Sequence, residues 1–199
     1  LVLRPEGGTD VELPAGESEL IAGLRDAYRH TGNPTALDVE SKFAAWAGSV
    51  LAPMNNEQIQ RMLNTEHGGM NEVLAELYAD TGDRRWLDLS YQFEHRAFTD
   101  ALKRHQDNLP GKHGNCQIPK LIGSATRYEH TGDADDLVAA SFFWDRVAQH
   151  HSYSTGGHGL AEYFGYPDEL SARVEGRTCE SCNVYNMLKL TRQLFSFRP

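Results

Sequence analysis

AYRHTGNPTAL (residues 27–37), LYADTGDRRWL (77–87) and RYEHTGDADDL (127–137) are one pattern written three times. Each has a Tyr, then Thr-Gly, then Asn or Asp, then Leu. The Thr-Gly pairs stand at 31–32, 81–82 and 131–132, fifty residues from one to the next. Glycine can take the left-handed conformation that closes a helix. The Asn33, Asp83 or Asp133 that follows can accept from the free N–H groups opening the next helix. Pro34 then falls at the first helical position, where its missing N–H costs nothing. The pattern predicts a tight turn between two antiparallel helices.

The flanks agree. ELIAGLRDAYRH and PTALDVESKFAAWAGSVL surround the first turn, MNEVLAELYAD and RRWLDLSYQFEHRAFTDAL the second, IPKLIGSATRYEH and ADDLVAASFFWDRVAQHH the third. Apolar residues recur in them at three and four, as in Leu137, Ala140, Phe143, Trp144 and Val147. Helical hairpins repeated at a fixed period mean an all-α solenoid or a closed α/α barrel. The residues left over are the loops APMNNEQIQRMLNTEHGG, KRHQDNLPGKHGNCQ and HSYSTGGHGLAEYFGYPDELSARVEGRT, which hold most of the His, Asn, Gln and aromatic residues. Long polar loops are where such a fold builds a site. A last segment, NVYNMLKLTRQLFSFRP, starts another helix with no Thr-Gly turn after it.

The chain has 199 residues, 40% hydrophobic and 24% charged, the composition of a globular protein. Its net charge of -9 leaves no electrostatic footprint for nucleic acid or an anionic membrane. No apolar run approaches the roughly 20 residues that span a bilayer. LVLRPEGGTDVELPAGESEL shows no signal peptide, and its residues 1–19 read as an irregular segment. Residues 20–199 read as part of a helical domain truncated at both ends.

Four groups of residues could carry chemistry. In HHSYSTGGHGLAEYFGYPDEL, Glu162 stands among glycines and aromatics, with His151 near the start. Aromatic faces stack on sugar rings, and a carboxyl in an apolar pocket has the raised pKa of a general acid. An exposed glutamate on a surface loop is the plainer alternative. Cys179-x-x-Cys182 could be a redox pair, half a zinc site or two unrelated thiols. A redox pair wants a βαβ unit and a zinc ribbon wants a second cysteine pair; neither is present, and Cys116 is a single remainder. Glu180 and Cys182 could supply two zinc ligands at the start of a helix. His67, Asn71 and Glu72 in TEHGGMNEV, with His113 and Gln117 in GKHGNCQIPK, occupy equivalent places before the helices that lead to Thr-Gly turns.

HGGMNEVLAELYADTGD, HGNCQIPKLIGSATRYEHTGD, FFWDRV with HHSYSTGGHGLAEYF, and ESCNVYNMLKLTRQLF together resemble the β-L-arabinofuranosidase catalytic domain of glycoside hydrolase families 127 and 146. The resemblance covers about residues 20–197 and implies an (α/α)6 barrel. It implies retaining, exo-acting hydrolysis of terminal β-L-arabinofuranose on plant-type oligo- or polysaccharides. It also implies Zn2+ held by a Glu and three Cys, one of which is the nucleophile, with a separate Glu as acid/base. On this chain the resemblance places the acid/base at Glu162 and two zinc ligands at Glu180 and Cys182. It places His67 and His113 along the sugar pocket and makes Cys179 a bystander; Asn71, Glu72, Gln117 and His151 are further candidates for binding the sugar. The family's two adjacent cysteines have no match, since the chain contains no Cys-Cys pair. The nucleophile is therefore expected beyond the C-terminus, and the isolated stretch is expected to be inactive and to expose apolar helix faces. A non-catalytic helical module that binds a glycan or a protein, and a metal-free inverting glycosidase or lyase, are the competing expectations. Linkage, aglycone, oligomeric state and location stay open.

Overall fold

In a computed structural model of the chain, the described residues are 2–3, 11–12, 17–65 and 68–197, with side chains from residue 18 onward. His67 lies outside them, as do most of residues 1–19. Within that first stretch β1 (Val2–Leu3) pairs antiparallel with β2 (Val11–Glu12). The rest of the regular structure is helical, the class expected from the repeat. The chain forms two compact units, residues 1–95 and 96–199.

The first unit contains α1 (Glu17–Thr31), α2 (Pro34–Leu51), α3 (Asn56–Leu63), α4 (Met70–Thr81) and α5 (Arg84–Gln92). The second contains α6 (Arg96–Lys103), α7 (Gly114–Thr131), α8 (Ala134–Arg146) and α9 (Ser181–Phe197). The three Thr-Gly turns join α1 to α2, α4 to α5 and α7 to α8. In each, the glycine has a left-handed φ: 69° at Gly32, 70° at Gly82 and 73° at Gly132. Each glycine N–H donates to the carbonyl of the repeat's tyrosine, Tyr28, Tyr78 or Tyr128, at 2.8, 2.7 and 2.8 Å. Asn33, Asp83 and Asp133 accept from the N–H two residues on, at 3.0, 3.1 and 3.1 Å. The repeated threonine has its own task. Thr81 and Thr131 each donate to the carbonyl four residues back at 2.7 Å, and then accept from the N–H of the capping Asp.

Each unit has its own core. Ile21, Leu51, Leu63, Leu74, Leu77, Trp86 and Phe93 are buried together in the first. Phe98, Leu121, Ile122, Phe143, Val147, Phe164 and Leu190 are buried together in the second. In the second unit the α7–α8 hairpin is also clamped by charge. Buried Arg127 reaches both carboxylate oxygens of buried Asp136, at 2.5 and 3.0 Å. Trp144 on α8 donates to the Thr191 hydroxyl on α9 at 2.7 Å.

Three elements depart from the sequence reading. The first loop contains α3, opened by a capping box in which Asn55 and Gln58 bond each other's backbone N–H groups. The long helix expected over 84–102 is broken after Gln92. There α3 captures the chain: Gln60 donates to the Glu94 carbonyl at 2.9 Å and Asn64 meets the buried His95 ring at 2.9 Å. The apolar period runs through the break, so periodicity could not reveal it. Finally, α7 begins four residues before Ile118, at Gly114, with His113 as its N-cap residue.

Candidate active site

Three irregular segments of the second unit are zipped together by backbone. Gly114 N–H donates to the Glu162 carbonyl at 2.6 Å, and Phe164 N–H to the Lys112 carbonyl at 2.9 Å. Ala161 N–H donates to the Arg177 carbonyl at 3.0 Å and Cys179 N–H to the Gly159 carbonyl at 3.3 Å. Residues 111–114, 159–164 and 177–179 thus form a small irregular ladder. Phe164 anchors it. Its ring is buried between the His158 ring, stacked at 5.2 Å, the His151 ring at 5.6 Å and Phe143 at 6.2 Å. Ala161, Glu162 and Cys179 hold left-handed φ values of 48°, 69° and 65°, a conformation side chains usually avoid. The ladder holds them there, and the result is that Glu162 projects toward the start of α9.

One ligand atom each from Glu162, Glu180 and Cys182 lie within 4.8 Å of one another. Glu180 precedes α9 and caps it by accepting from the Cys182 N–H at 2.7 Å. The Cys182 thiol also contacts the Glu180 carboxylate, and lies 3.9 Å from Glu162 Oε2. The bonds from the Cys182 thiol and N–H hold the Glu180 carboxyl below its ordinary range. Burial, the bond to Glu180 and the nearby carboxylates push the Cys182 thiol up to about 12. Burial and the two neighbouring carboxyls disfavour a thiolate at Cys182; a cation among them would reverse that. The mixed thiol–carboxyl donor set suits zinc. The residues present therefore fit part of a zinc site.

His113 adjoins the group, its Nε2 3.2 Å from Glu162 Oε2. Tyr163 meets the His113 ring edge-on with centroids 5.0 Å apart. His113 Nδ1 lies 3.3 Å from the Cys116 thiol, one helical turn along α7. Gln117 is buried on the same helix and accepts from Lys120 at 3.0 Å; burial pushes the Lys120 ammonium down to about 7. His151 is buried below the ladder, its Nε2 2.9 Å from Asp107 Oδ2. Burial raises the Asp107 carboxyl, but bonds from His151, Leu109 N–H and Arg146 outweigh it and hold the group low. Asn71 and Glu72 belong to the first unit, in the first turn of α4. Asn71 is buried, and its side chain caps the Glu72 N–H at 3.0 Å. Cys179 packs against Gly157, which leaves no room for a Cβ there.

Cys116 and Asn183 escaped the sequence reading. In the sequence Cys116 reads as a single remainder; its position three residues after His113 is the signal that the two meet once the segment is helical. Asn183 is fully buried beside Gly114, and nothing in its residue type announces that.

Comparison with known proteins bears on this arrangement. Residues 18–199 match the model of the β-L-arabinofuranosidase GH127 catalytic domain, and the chain belongs to that family. No curated protein matches it. Among solved structures, it is similar to a GH127 β-arabinofuranosidase designated BT3674, with a TM-score of 0.66 and 23% identity over 92% of this chain and 30% of that one. It is also similar to Ara127N-Se, a GH127 β-L-arabinofuranosidase from Geobacillus stearothermophilus T6, with a TM-score of 0.66 and 18% identity over 92% of this chain and 33% of that one. The likeness is one of fold, and the chain spans about a third of the length of these structures. No helix among the described residues is long and apolar enough to cross a membrane.

Proposed function

We propose that this chain carries the acid/base and part of the zinc site of a retaining, exo-acting β-L-arabinofuranosidase acting on plant-type glycans. The observation that carries the reading is the convergence of Glu162, Glu180 and Cys182, with His113 against Glu162. Glu180 and Cys182 would hold the zinc ion. Bound there, zinc supplies positive charge that keeps a thiol deprotonated and nucleophilic near neutral pH. In this reading the attacking thiol is a cysteine of the parent protein outside residues 1–199.

Glu162 acts in both halves of the reaction. It first gives its proton to the glycosidic oxygen as that bond breaks. It then takes a proton from the water that releases the sugar. His113 stands beside Glu162, its Nε2 3.2 Å from Oε2. Tyr163 is 46% exposed beside them and offers an aromatic face to a sugar ring. Gln117 and His151 are proposed to shape the pocket of the second unit, and His67, Asn71 and Glu72 are proposed as sugar-binding residues of the first.

The test is hydrolysis of an aryl β-L-arabinofuranoside by the parent protein. Glu162→Gln should lower kcat about 10²–10⁴-fold, the usual contribution of a general acid/base. Bound zinc should be retained in that variant and lost in Cys182→Ser. Unchanged turnover in Glu162→Gln would sink the assignment.

A further inference from the structure

We propose that His158 is a positioning residue for Glu162: its ring stacks on Phe164 and closes the base of a hairpin whose tip holds Glu162 in a left-handed conformation. The inference rests on the acid/base reading of Glu162 given above. Leu160 and Tyr163 exchange both backbone bonds, each at 3.0 Å, with Ala161 and Glu162 between them. That is a two-residue hairpin turn. Both central residues have positive φ, 48° and 69°, which is the type I′ pattern. Such a turn favours Asn-Gly, because those residues enter the left-handed region with least strain. Ala161 and Glu162 lack that advantage, so this turn is held by its surroundings rather than by its own residues.

The ladder bonds hold the turn from the sides, and a ring stack holds it at the base. His158 and Phe164 flank the turn, their rings face to face with centroids 5.2 Å apart and an interplanar angle of 5°. Both are buried, whereas Ala161 at the tip is exposed. Phe164 is fixed on its own side: its N–H donates to the Lys112 carbonyl and its carbonyl accepts from Gly111 N–H, each at 2.9 Å. His158 brings the incoming arm of the hairpin against that fixed ring. Neither nitrogen of His158 has a hydrogen-bond partner among the described residues, so the ring contributes a flat face rather than a donor. Without that face the incoming arm can slip past Phe164 and loosen the pairing of Leu160 with Tyr163. Glu162 would then relax to a negative φ and turn its carboxyl away from Cys182, whose thiol lies 3.9 Å from Oε2.

The test is hydrolysis of an aryl β-L-arabinofuranoside by the parent protein, with kcat taken per folded molecule. His158→Ala should lower kcat up to about 10²-fold, the effect of a misplacement of roughly 1 Å, with KM little changed. His158→Phe keeps the flat face without the nitrogens and should restore wild-type kcat. Ala161→Asn suits the left-handed tip, and its exposed position has room for the side chain. Added to His158→Ala, it should regain most of the lost kcat, measured against Ala161→Asn alone. A residue that only fills the core would gain no turnover from a change at the turn. Wild-type kcat in His158→Ala while Glu162→Gln is crippled would overturn the proposal. So would a His158→Phe no better than His158→Ala, or an Ala161→Asn that restores nothing. If His158→Ala does not fold, His158→Leu, apolar but not flat, takes its place. Full turnover in Glu162→Gln would instead remove the acid/base reading, and the positioning role with it.

Discussion

Glu162 is held by its backbone before its side chain does anything. Its left-handed φ of 69° is maintained because its carbonyl accepts from Gly114 N–H at 2.6 Å. Gly114 in turn has no side chain because Asn183 occupies that place: an added Cβ would lie 2.8 Å from Asn183 Nδ2. Asn183 is fully buried and cannot retreat into solvent. Gly114→Ala should therefore destabilise the protein by about 1–3 kcal/mol, the usual effect of overpacking. Adding Asn183→Ala frees the space, so the double variant should be less destabilised than the sum of the two singles. Denaturant unfolding of the four proteins measures this, and strict additivity would show that the two residues do not share one space. At this scale the sequence was partly legible. Glu162 stood out as a single carboxyl among glycines and aromatics, and Glu180-x-Cys182 by its ligand types. That these two meet depends on a ladder of irregular backbone bonds, which no periodicity encodes.

The helical hairpins were legible because their punctuation is local. A glycine closing one helix and an Asn or Asp opening the next act within four residues, and the sequence states both. α3 and the break before α6 were hidden for the opposite reason. α3 is short, and the break is fixed by Gln60 and Asn64 reaching a chain segment about thirty residues away. The turn offers a test free of steric complication, since a Cβ added at Gly132 would meet nothing within 4 Å. Gly132→Ala should cost about 1–2 kcal/mol through its left-handed φ alone. Gly132→Asn should cost less, because asparagine visits that conformation more readily. Thermal unfolding of both variants ranks them; equal stability of Gly132→Ala and wild type would refute the backbone account.

At the scale of the whole molecule, stability should depend on pH through a group that the proposed reaction does not use. Glu40 on α2 is fully buried, and neither side-chain oxygen has a hydrogen-bond partner. Burial raises its carboxyl most, Asp80 and Glu76 on α4 add to the rise, and Arg25 on α1 opposes it; the result is about 7. Arg25 is already engaged by Glu76 and Asp80, and Arg29 by Asp80, so neither cation is given over to Glu40. The unfolded chain loses this proton near its ordinary value of 4.5, while the folded chain keeps it to about 7. Between those values the native state binds more protons than the unfolded state, so stability falls as pH rises. Below the window the group is neutral in both states and contributes no penalty. Above it the penalty is full, on the order of 3 kcal/mol. Glu40→Gln keeps the shape and removes the charge. Its Tm should equal that of the wild type at pH 4 and exceed it by roughly 5–10 °C at pH 8. Melting curves for both proteins across that range, recorded at constant ionic strength, decide the matter. Parallel pH profiles would mean that Glu40 is ionised in the fold and has found a partner for its charge.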